Sequence, residues 1–203
     1  MITLPIRRDQ LIVVDVEATC WPNNRIPPGA QSEIIEVGVC LLDLSSLQIS
    51  KSQSILVRPV RSKVSAFCTD LTTLTQSQVD DGRTFDEACR ILRDQYGSQS
   101  RAWGSWGNYD LKLFESQCRS FGVPYPFTQT HLNIKQMFGK RFNRGKLVGM
   151  SAALDILKLP LEGTHHRGGD DAYNIARIMA YMLDELGPDP LADLWEGHLT
   201  KAV

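Results

Sequence analysis

Long hydrophobic runs are lacking in this sequence. No apolar stretch approaches the roughly 18 residues that a membrane-spanning helix needs. The amino-terminal segment MITLPIRRDQ has no apolar core after a basic start, so it does not resemble a secretory signal. Internal repeats and low-complexity tracts are also lacking. We therefore expect no membrane association and one domain over residues 1–203, with a core at about 8–186 and a carboxyl-terminal helix at about 190–200.

Cysteine is scarce and has no recognisable pairing. The five cysteines are an odd number, widely spaced, with no CxxC pair; they are Cys20, Cys40, Cys68, Cys89 and Cys118. This pattern argues against both a disulfide framework and a cysteine zinc site. The expected location is the reducing cytoplasm.

Net charge is nearly absent. The formal value is −1, so the total charge does not indicate a nucleic-acid-binding protein. The distribution is less even, because the segment 135–146 contains basic residues and no acid; they are Lys135, Lys140, Arg141, Arg144 and Lys146. On charge alone, a phosphate-binding surface and a solvated loop are both open interpretations of this basic segment.

The pattern of apolar residues predicts alternating structure. Short β-branched runs predict strands at 11–16, 33–44, 52–59, 101–106 and 131–134. Helical periodicity predicts helices at 75–82, 85–96, 109–121, about 149–158 and 169–186, the second of these beginning after Thr84 as its N-cap. Three strands joined by short spacers, then helices and strands in turn, indicate an α/β fold: a mixed central sheet flanked by helices.

Two acids stand close together in the first strand. Asp15 and Glu17 are two residues apart, so their side chains point to the same face. Neighbouring buried carboxylates repel one another and lose solvation, which a divalent cation between them would offset. A strand whose polar face is simply exposed is the alternative.

A third acid begins a helix. Asp110 heads an apolar stripe through Leu113, Phe114, Gln117, Cys118 and Phe121, so it is predicted to point towards the buried side of the helix. An ordinary first-turn aspartate, favoured by the helix dipole, is the alternative.

The segment HHRGGDDAYNIARI at 165–178 supplies a fourth acid and a histidine. Asp171 shares a helical face with Ile175, Ile178 and Met182, whereas the neighbouring Asp170 faces water. His166 lies five residues before Asp171, in a loop that Gly168 and Gly169 are expected to make flexible. A structural or exposed histidine is the more common case, but this one is next to an inward-facing acid.

These residues together suit one kind of chemistry. Carboxylates without thiolates are typical ligands of Mg²⁺ or Mn²⁺. Two such ions about 3.5–4 Å apart can stabilise the attacking and leaving oxygens of phosphodiester hydrolysis. His166 is then the natural general base for the attacking water.

The order and spacing of these motifs resemble the DEDDh 3′–5′ exonucleases. The shared features are DVEAT at 15–19, the helix-start aspartate, and a histidine five residues before an aspartate. The branch that contains the eukaryotic histone-mRNA 3′ exonuclease is similar also in ATCW at 18–21, EIIEVGVCLL at 33–42, FCTDLTTLTQSQVD at 67–80, and NIKQMF at 133–138.

The resemblance implies a ribonuclease-H-like fold and a role for each matched residue. The implied metal ligands, for two Mg²⁺ ions that Mn²⁺ can replace, are Asp15, Glu17, Asp110 and Asp171, with His166 as the base. Ala18 and Thr19 match positions that contact the terminal nucleotide. Phe67 and Tyr109 match aromatic residues that stack on the last base; core packing is the alternative for both.

The implied activity is stepwise release of 5′-mononucleotides from free 3′ ends of single-stranded nucleic acid, with RNA favoured over DNA. A protein partner that delivers the substrate is also expected. Two alternatives stay open: a DNA exonuclease with the same chemistry, and a non-catalytic nucleic-acid-binding relative.

Overall fold

The computed structural model describes residues 6–187 and Leu191. The strands are β1 (Arg7–Ala18), β2 (Ile34–Asp43), β3 (Ile49–Leu56), β4 (Arg101–Ser105) and β5 (His131–Asn133). The helices are α1 (Ala66–Thr72), α2 (Gln76–Asp80), α3 (Phe85–Tyr96), α4 (Tyr109–Phe121), α5 (Ile134–Phe142), α6 (Met150–Leu157) and α7 (Gly168–Leu186). A short 3-10 turn at Pro22–Asn24 follows β1.

The strands form one mixed sheet in the order β3-β2-β1-β4-β5. Strands β1, β2 and β3 are antiparallel neighbours, whereas β4 pairs with β1 and β5 pairs with β4 in parallel. Short connections allow the antiparallel part, and the parallel strands are reached through helices. The predicted antiparallel unit and the α/β class are confirmed.

Helices cover both faces of the sheet because alternate residues of β1 point in opposite directions. Ile12, Val14 and Val16 pack against α3 and α4 in one core cluster. Leu11 and Val13 pack against α5, α6 and α7 in the other. Within the described part of the chain, no helix combines the length and apolarity needed to cross a bilayer.

Most predicted elements lie where the sequence pattern placed them. The Thr84 hydroxyl caps α3 by accepting the N–H of Glu87, and the Glu87 carboxylate accepts the N–H of Thr84 in return. Strand β1 extends beyond its predicted range at both ends, and β3 begins at Ile49 instead of residue 52. The carboxyl-terminal helix expected at about 190–200 lies outside the described residues, except for Leu191.

Two helices were not predicted. Helix α1 is capped by Ser65, whose hydroxyl accepts the N–H of Cys68 at 3.0 Å. Helix α5 is capped by Asn133, whose side chain accepts the N–H of Gln136 at 2.9 Å. Both are short helices started by a capping side chain rather than by long periodicity. The basic segment 135–146 is therefore mostly helix α5 with the turn after it, not a loop throughout.

Candidate active site

Strand β1 carries two acids at the centre of the sheet. Asp15 lies opposite Gly38 of β2, and Glu17 lies opposite Glu36. Glu17 is only 8% exposed. The register between β1 and β2 shifts directly after Glu17, so regular pairing ends beside the two carboxylates. These acids are therefore partly enclosed, rather than displayed on a solvated face.

Asp110 reaches the same place from the first turn of α4. It is buried, as are Leu113, Phe114 and Gln117 along the predicted stripe. Its Oδ1 atom accepts a hydrogen bond of 3.0 Å from the backbone N–H of Val16, the residue between Asp15 and Glu17. The start of α4 is thereby fixed to β1.

Helix α7 brings Asp171 to β1 through a glycine contact. A Cβ atom at Gly38 would overlap the carbonyl oxygen of Gly168, and one at Gly168 would lie 3.0 Å from the backbone nitrogen of Gly38. The helix start can approach the sheet this closely only because neither residue has a side chain. The expectation that Gly168 and Gly169 make a flexible loop is wrong, since both residues belong to α7.

The structure distinguishes the two neighbouring aspartates of α7. Asp171 is 4% exposed and lies on the face of Ile175 and Ile178, which have no exposed surface. Asp170 is turned aside, and its Oδ2 atom accepts the N–H of Thr164 at 2.8 Å. Asp171 is thus the carboxylate of this pair that faces the sheet, as helical periodicity predicts.

The carboxylates of Asp15, Glu17 and Asp171 converge. One oxygen of each lies within 4.8 Å of the others. Asp110 stands next to this group through its bond to Val16, and its charge acts on Asp15. The four predicted metal ligands are therefore collected at one site from β1, α4 and α7.

The two adjacent histidines both lie at this site, in an arrangement that the sequence did not predict. The Nδ1 atom of His165 is 3.1 Å from each carboxylate oxygen of Asp171. His166 instead donates its backbone N–H to Asp171 at 2.8 Å. The two rings stack with centroids 4.0 Å apart. The histidine side chain that contacts Asp171 is thus that of His165, and not that of His166.

Burial and mutual repulsion dominate the electrostatics of the β1 acids. Burial raises the pKa of Asp15 well above its usual range, and the carboxylates of Asp110 and Glu17 raise it further. Burial also raises the pKa of Glu17 to about 9, with added repulsion from Asp171. The Arg167 guanidinium opposes this change in Glu17.

The helix acids are perturbed in the same direction. Burial raises the pKa of Asp110 to about 6, against the hydrogen bond from Val16. Burial raises the pKa of Asp171 as well, and His165 partly opposes the change. Carboxylates that are buried together in this way are stabilised by a bound cation. Four oxygen-donor side chains suit a divalent metal ion.

A family model tests this interpretation. The exonuclease family RNase_T matches residues 12–179, a range that includes all four acids and both histidines. The chain belongs to this exonuclease family. Members of the DEDDh group use divalent metal ions, and the acidic group at the centre of the sheet agrees with that property.

Among curated proteins, this exonuclease is similar to 3′-5′ exoribonuclease 1 of Homo sapiens. The two are 33% identical over 190 residues, which cover 87% of this chain and 53% of the human protein. The chain thus spans about half the length of the curated relatives that it matches first.

Two solved structures extend the comparison. The nuclease domain of 3′hExo, a DEDDh family member bound to rAMP, has a TM-score of 0.77 and 31% identity, covering 88% of this chain and 93% of that one. A 3′-exonuclease studied for 3′-end-specific recognition of the histone mRNA stem-loop has a TM-score of 0.76 and 30% identity, covering 88% and 83%. The predicted family and the ribonuclease-H-like fold are confirmed.

Two exposed aromatic side chains stand at the site of this exonuclease. Tyr109 directly precedes Asp110 and is 58% exposed. Phe67, in the first turn of α1, is 41% exposed. Helix α1 is held against the end of β1, because the Cys68 thiol donates to the carbonyl oxygen of Ala18 at 3.4 Å. Because both rings are exposed, core packing does not explain their positions. Their stacking on the terminal base stays a prediction.

The side chain of Thr19, directly after β1, is hydrogen-bonded within the protein. It has no exposed surface, and its hydroxyl accepts the N–H of Glu33 at 2.9 Å and donates to the carbonyl oxygen of Gln31 at 3.2 Å. Both of these hydrogen bonds serve the fold, and the predicted contact of Thr19 with the terminal nucleotide stays a prediction. Ala18 is also buried, at 6% exposure, and its contact stays a prediction.

The basic segment begins beside the site. The side chain of Asn133, just before α5, donates to the side chain of Asn108, next to Tyr109, at 3.0 Å. Lys140, Arg141 and Arg144 are exposed. Within residues 6–187 and 191, none of these three has a carboxylate within ion-pair distance. Contact of this segment with phosphates stays a prediction.

Sequence reasoning missed two residues of the site. His165 was not assigned to the site because its five-residue spacing leads to Asp170, whereas that of His166 leads to Asp171. Glu36 was passed over because an acid in a strand usually faces solvent; it is fully buried. The signal for Glu36 was its position within the apolar run EIIEVGVCLL.

Proposed function

We propose that this chain is a magnesium-dependent 3′–5′ exonuclease that removes 5′-mononucleotides one at a time from single-stranded RNA. The observation that carries the proposal is the convergence of Asp15, Glu17 and Asp171 within 4.8 Å in an exonuclease-family fold. These three carboxylates, with Asp110 beside them, are the residues that would hold the metal ions. Bound divalent ions would polarise the phosphodiester and lower the pKa of a bound water.

The remaining roles fall to side chains around the carboxylates. His166 accepts the proton of the attacking water, and burial beside His165 lowers its pKa, so it is neutral and able to do so near pH 7. Phe67 and Tyr109 offer exposed ring faces to the terminal bases, and such stacking does not depend on base identity. Asp171 fixes the backbone of His166.

Support for RNA over DNA comes from the relatives. One of them is named an exoribonuclease, and one solved neighbour holds rAMP. Manganese is expected to replace magnesium, because both prefer oxygen ligands. A protein partner that delivers structured substrates stays a prediction, as does a cytoplasmic location, which agrees with five free cysteines.

One experiment tests these points together. RNA and DNA oligonucleotides of the same sequence, labelled at the 5′ end, are incubated with the protein with Mg²⁺, with Mn²⁺ and with chelator. We expect a ladder that shortens from the 3′ end, faster for RNA, and no reaction in chelator. Faster hydrolysis of DNA would favour the DNA exonuclease alternative. Binding without hydrolysis under every condition would favour the non-catalytic one, and cleavage of a circular strand would contradict the exonuclease assignment.

A further inference from the structure

Glu36 is a fully buried acid beside the proposed metal site. It lies on β2 opposite Glu17 and has no exposed surface. Among the described residues, the group of three carboxylates that all come within 4.8 Å of one another consists of Asp15, Glu17 and Asp171. Glu36 is outside that group, so its burial needs another explanation.

The carboxylate of Glu36 is hydrogen-bonded mainly to Arg167 and Gly168, the residues at the start of α7. Its Oε1 atom accepts from Nη2 of Arg167 at 2.9 Å and from the Ser54 hydroxyl. Its Oε2 atom accepts from the backbone N–H of Gly168 at 2.7 Å and from Nε of Arg167 at 3.3 Å. Two successive residues, Arg167 and Gly168, are thus held on β2 by one charged group.

The same segment contains the strained histidine of the site. His166 has a φ angle of +64°, in the left-handed region that a residue with a side chain adopts at a cost. The turn is closed by the Arg167 N–H, which donates to the carbonyl oxygen of Thr164 at 3.3 Å. Such a conformation persists only where its surroundings hold it in place. Glu36 holds Arg167, the residue directly after His166, by an ion pair and hydrogen bonds.

We propose that Glu36 is a positioning residue for the nuclease reaction: through Arg167 and the N–H of Gly168, it sets the placement of His166 and Asp171 against β1. Glu36 itself touches neither the substrate nor the metal. This inference rests on the proposed function, since the alignment of His166 matters only if water is activated at this site.

The test uses variants of both partners in the full chain. Glu36→Gln keeps the side-chain shape: its amide oxygen can accept from Gly168, and its NH₂ can donate to the Ser54 hydroxyl. What it loses is the charge that attracts Arg167. Arg167→Met removes the other partner of the ion pair, and Arg167→Lys keeps the positive charge at this position. The double variant Glu36→Gln/Arg167→Met completes a double-mutant cycle.

A matched control breaks a different ion pair on the same helix. Glu162 lies 3.2 Å from Arg177 of α7, and Glu162→Gln removes that attraction away from the site. For each variant, kcat and KM are measured on one RNA oligonucleotide with saturating Mg²⁺, together with the unfolding temperature.

We expect kcat to fall by at least about tenfold in Glu36→Gln and in Arg167→Met, while KM stays within about twofold. The double variant should be no slower than the slower single variant, because both changes remove one interaction. Arg167→Lys should recover part of the loss. Glu162→Gln should leave kcat unchanged.

Several results would overturn the inference. They are an unchanged kcat in either folded single variant, losses that add in the double variant, or the same kcat loss in Glu162→Gln. If Glu36→Gln does not fold, Arg167→Met decides alone, because the Arg167 side chain is 29% exposed and tolerates truncation more readily. A wild-type protein without nuclease activity would refute the proposed function, whereas an active wild type with an equally active Glu36→Gln refutes only the positioning role.

Discussion

The Oδ1 atom of Asp110 lies 3.0 Å from the backbone nitrogen of Val16 and accepts its hydrogen bond. Val16 separates the two acids of β1, so this bond places the acid of α4 in a fixed relation to both. One carboxylate therefore has two tasks: it connects a helix to the central strand, and it adds negative charge to the site.

Asp110→Asn should separate these two tasks. The amide oxygen can still accept the N–H of Val16, and a buried charge is lost, so the unfolding temperature should stay the same or rise. Activity should fall by at least about 100-fold, because a charge next to the metal ions is missing. Asp110→Ala is the control: it loses the bond as well and should cost roughly 1–3 kcal/mol of stability. Near-normal activity in folded Asp110→Asn would remove Asp110 from the metal site.

Asp171→Asn and Asp170→Asn should differ sharply. Asp171 converges with Asp15 and Glu17, whereas Asp170 only accepts the N–H of Thr164. We expect metal-dependent turnover to vanish in the first variant and to be largely retained in the second. Both are assayed on one oligonucleotide at saturating Mg²⁺, after circular dichroism has confirmed that they fold. The reverse result would mean that the metal is held by the other aspartate.

Replacing each histidine tests which one acts as the base. His166→Ala should lower kcat by roughly 10²–10⁴, the usual contribution of a general base. His165→Ala should cost less, since His165 contacts Asp171 rather than activating water in the proposed mechanism. The measurement is kcat against pH for both variants. If His165→Ala is the slower enzyme, the ring that touches Asp171 is the base.

The stability of the metal-free protein should fall as pH rises. The raised pKa values mean that the folded state binds protons more tightly than the unfolded state, so deprotonation destabilises the fold. The loss begins near the unfolded pKa of about 4 and continues through the folded values, about 6 for Asp110 and about 9 for Glu17.

The corresponding measurement is the unfolding temperature in chelator and with excess Mg²⁺ or Mn²⁺. We expect it to decrease from about pH 5 to about pH 9 in chelator, and the metal to raise it more at the higher pH, where the carboxylates are ionised. Glu17→Gln should reduce the slope in chelator. A metal effect that is equal at both ends of this range would argue against binding by these carboxylates.

Neutralising the basic segment should weaken binding. The variant Lys140→Gln/Arg141→Gln/Arg144→Gln should raise the dissociation constant for RNA and flatten its dependence on salt, because fewer counterions are released. Turnover at saturation should change little. A matched control, Lys51→Gln/Arg58→Gln/Arg83→Gln, removes exposed cations on or next to β3, at the opposite end of the sheet from β5. Equal effects from the two variants would mean that net charge, and not this segment, decides affinity.

Much of the site could be predicted because periodicity decides which way a side chain faces. Alternation along β1 predicts the shared face of Asp15 and Glu17, and helical spacing separates Asp171 from Asp170. The role of His165 could not be predicted in this way. His166 has a left-handed backbone conformation, which turns the chain between the His165 and His166 rings. The periodicity of the sequence does not predict a positive φ angle at one residue.

The secondary-structure elements also divide into those that the sequence pattern predicts and those that it does not. Long elements such as β2 and α7 were predicted, because many residues contribute to their pattern. Helices α1 and α5 were missed, because each is short and depends on one capping side chain, Ser65 or Asn133. Glu36 was missed because its burial depends on Arg167 and Gly168, which are distant in sequence.

The close contact of Gly38 with Gly168 also has a consequence for the newly synthesised chain. Asp15 and Glu17 of β1 are synthesised before Asp171, which reaches them only when α7 packs on the sheet. Until then the group proposed to bind metal lacks one of its carboxylates. The group of converging carboxylates is therefore complete only after the last described helix has been synthesised and packed on the sheet.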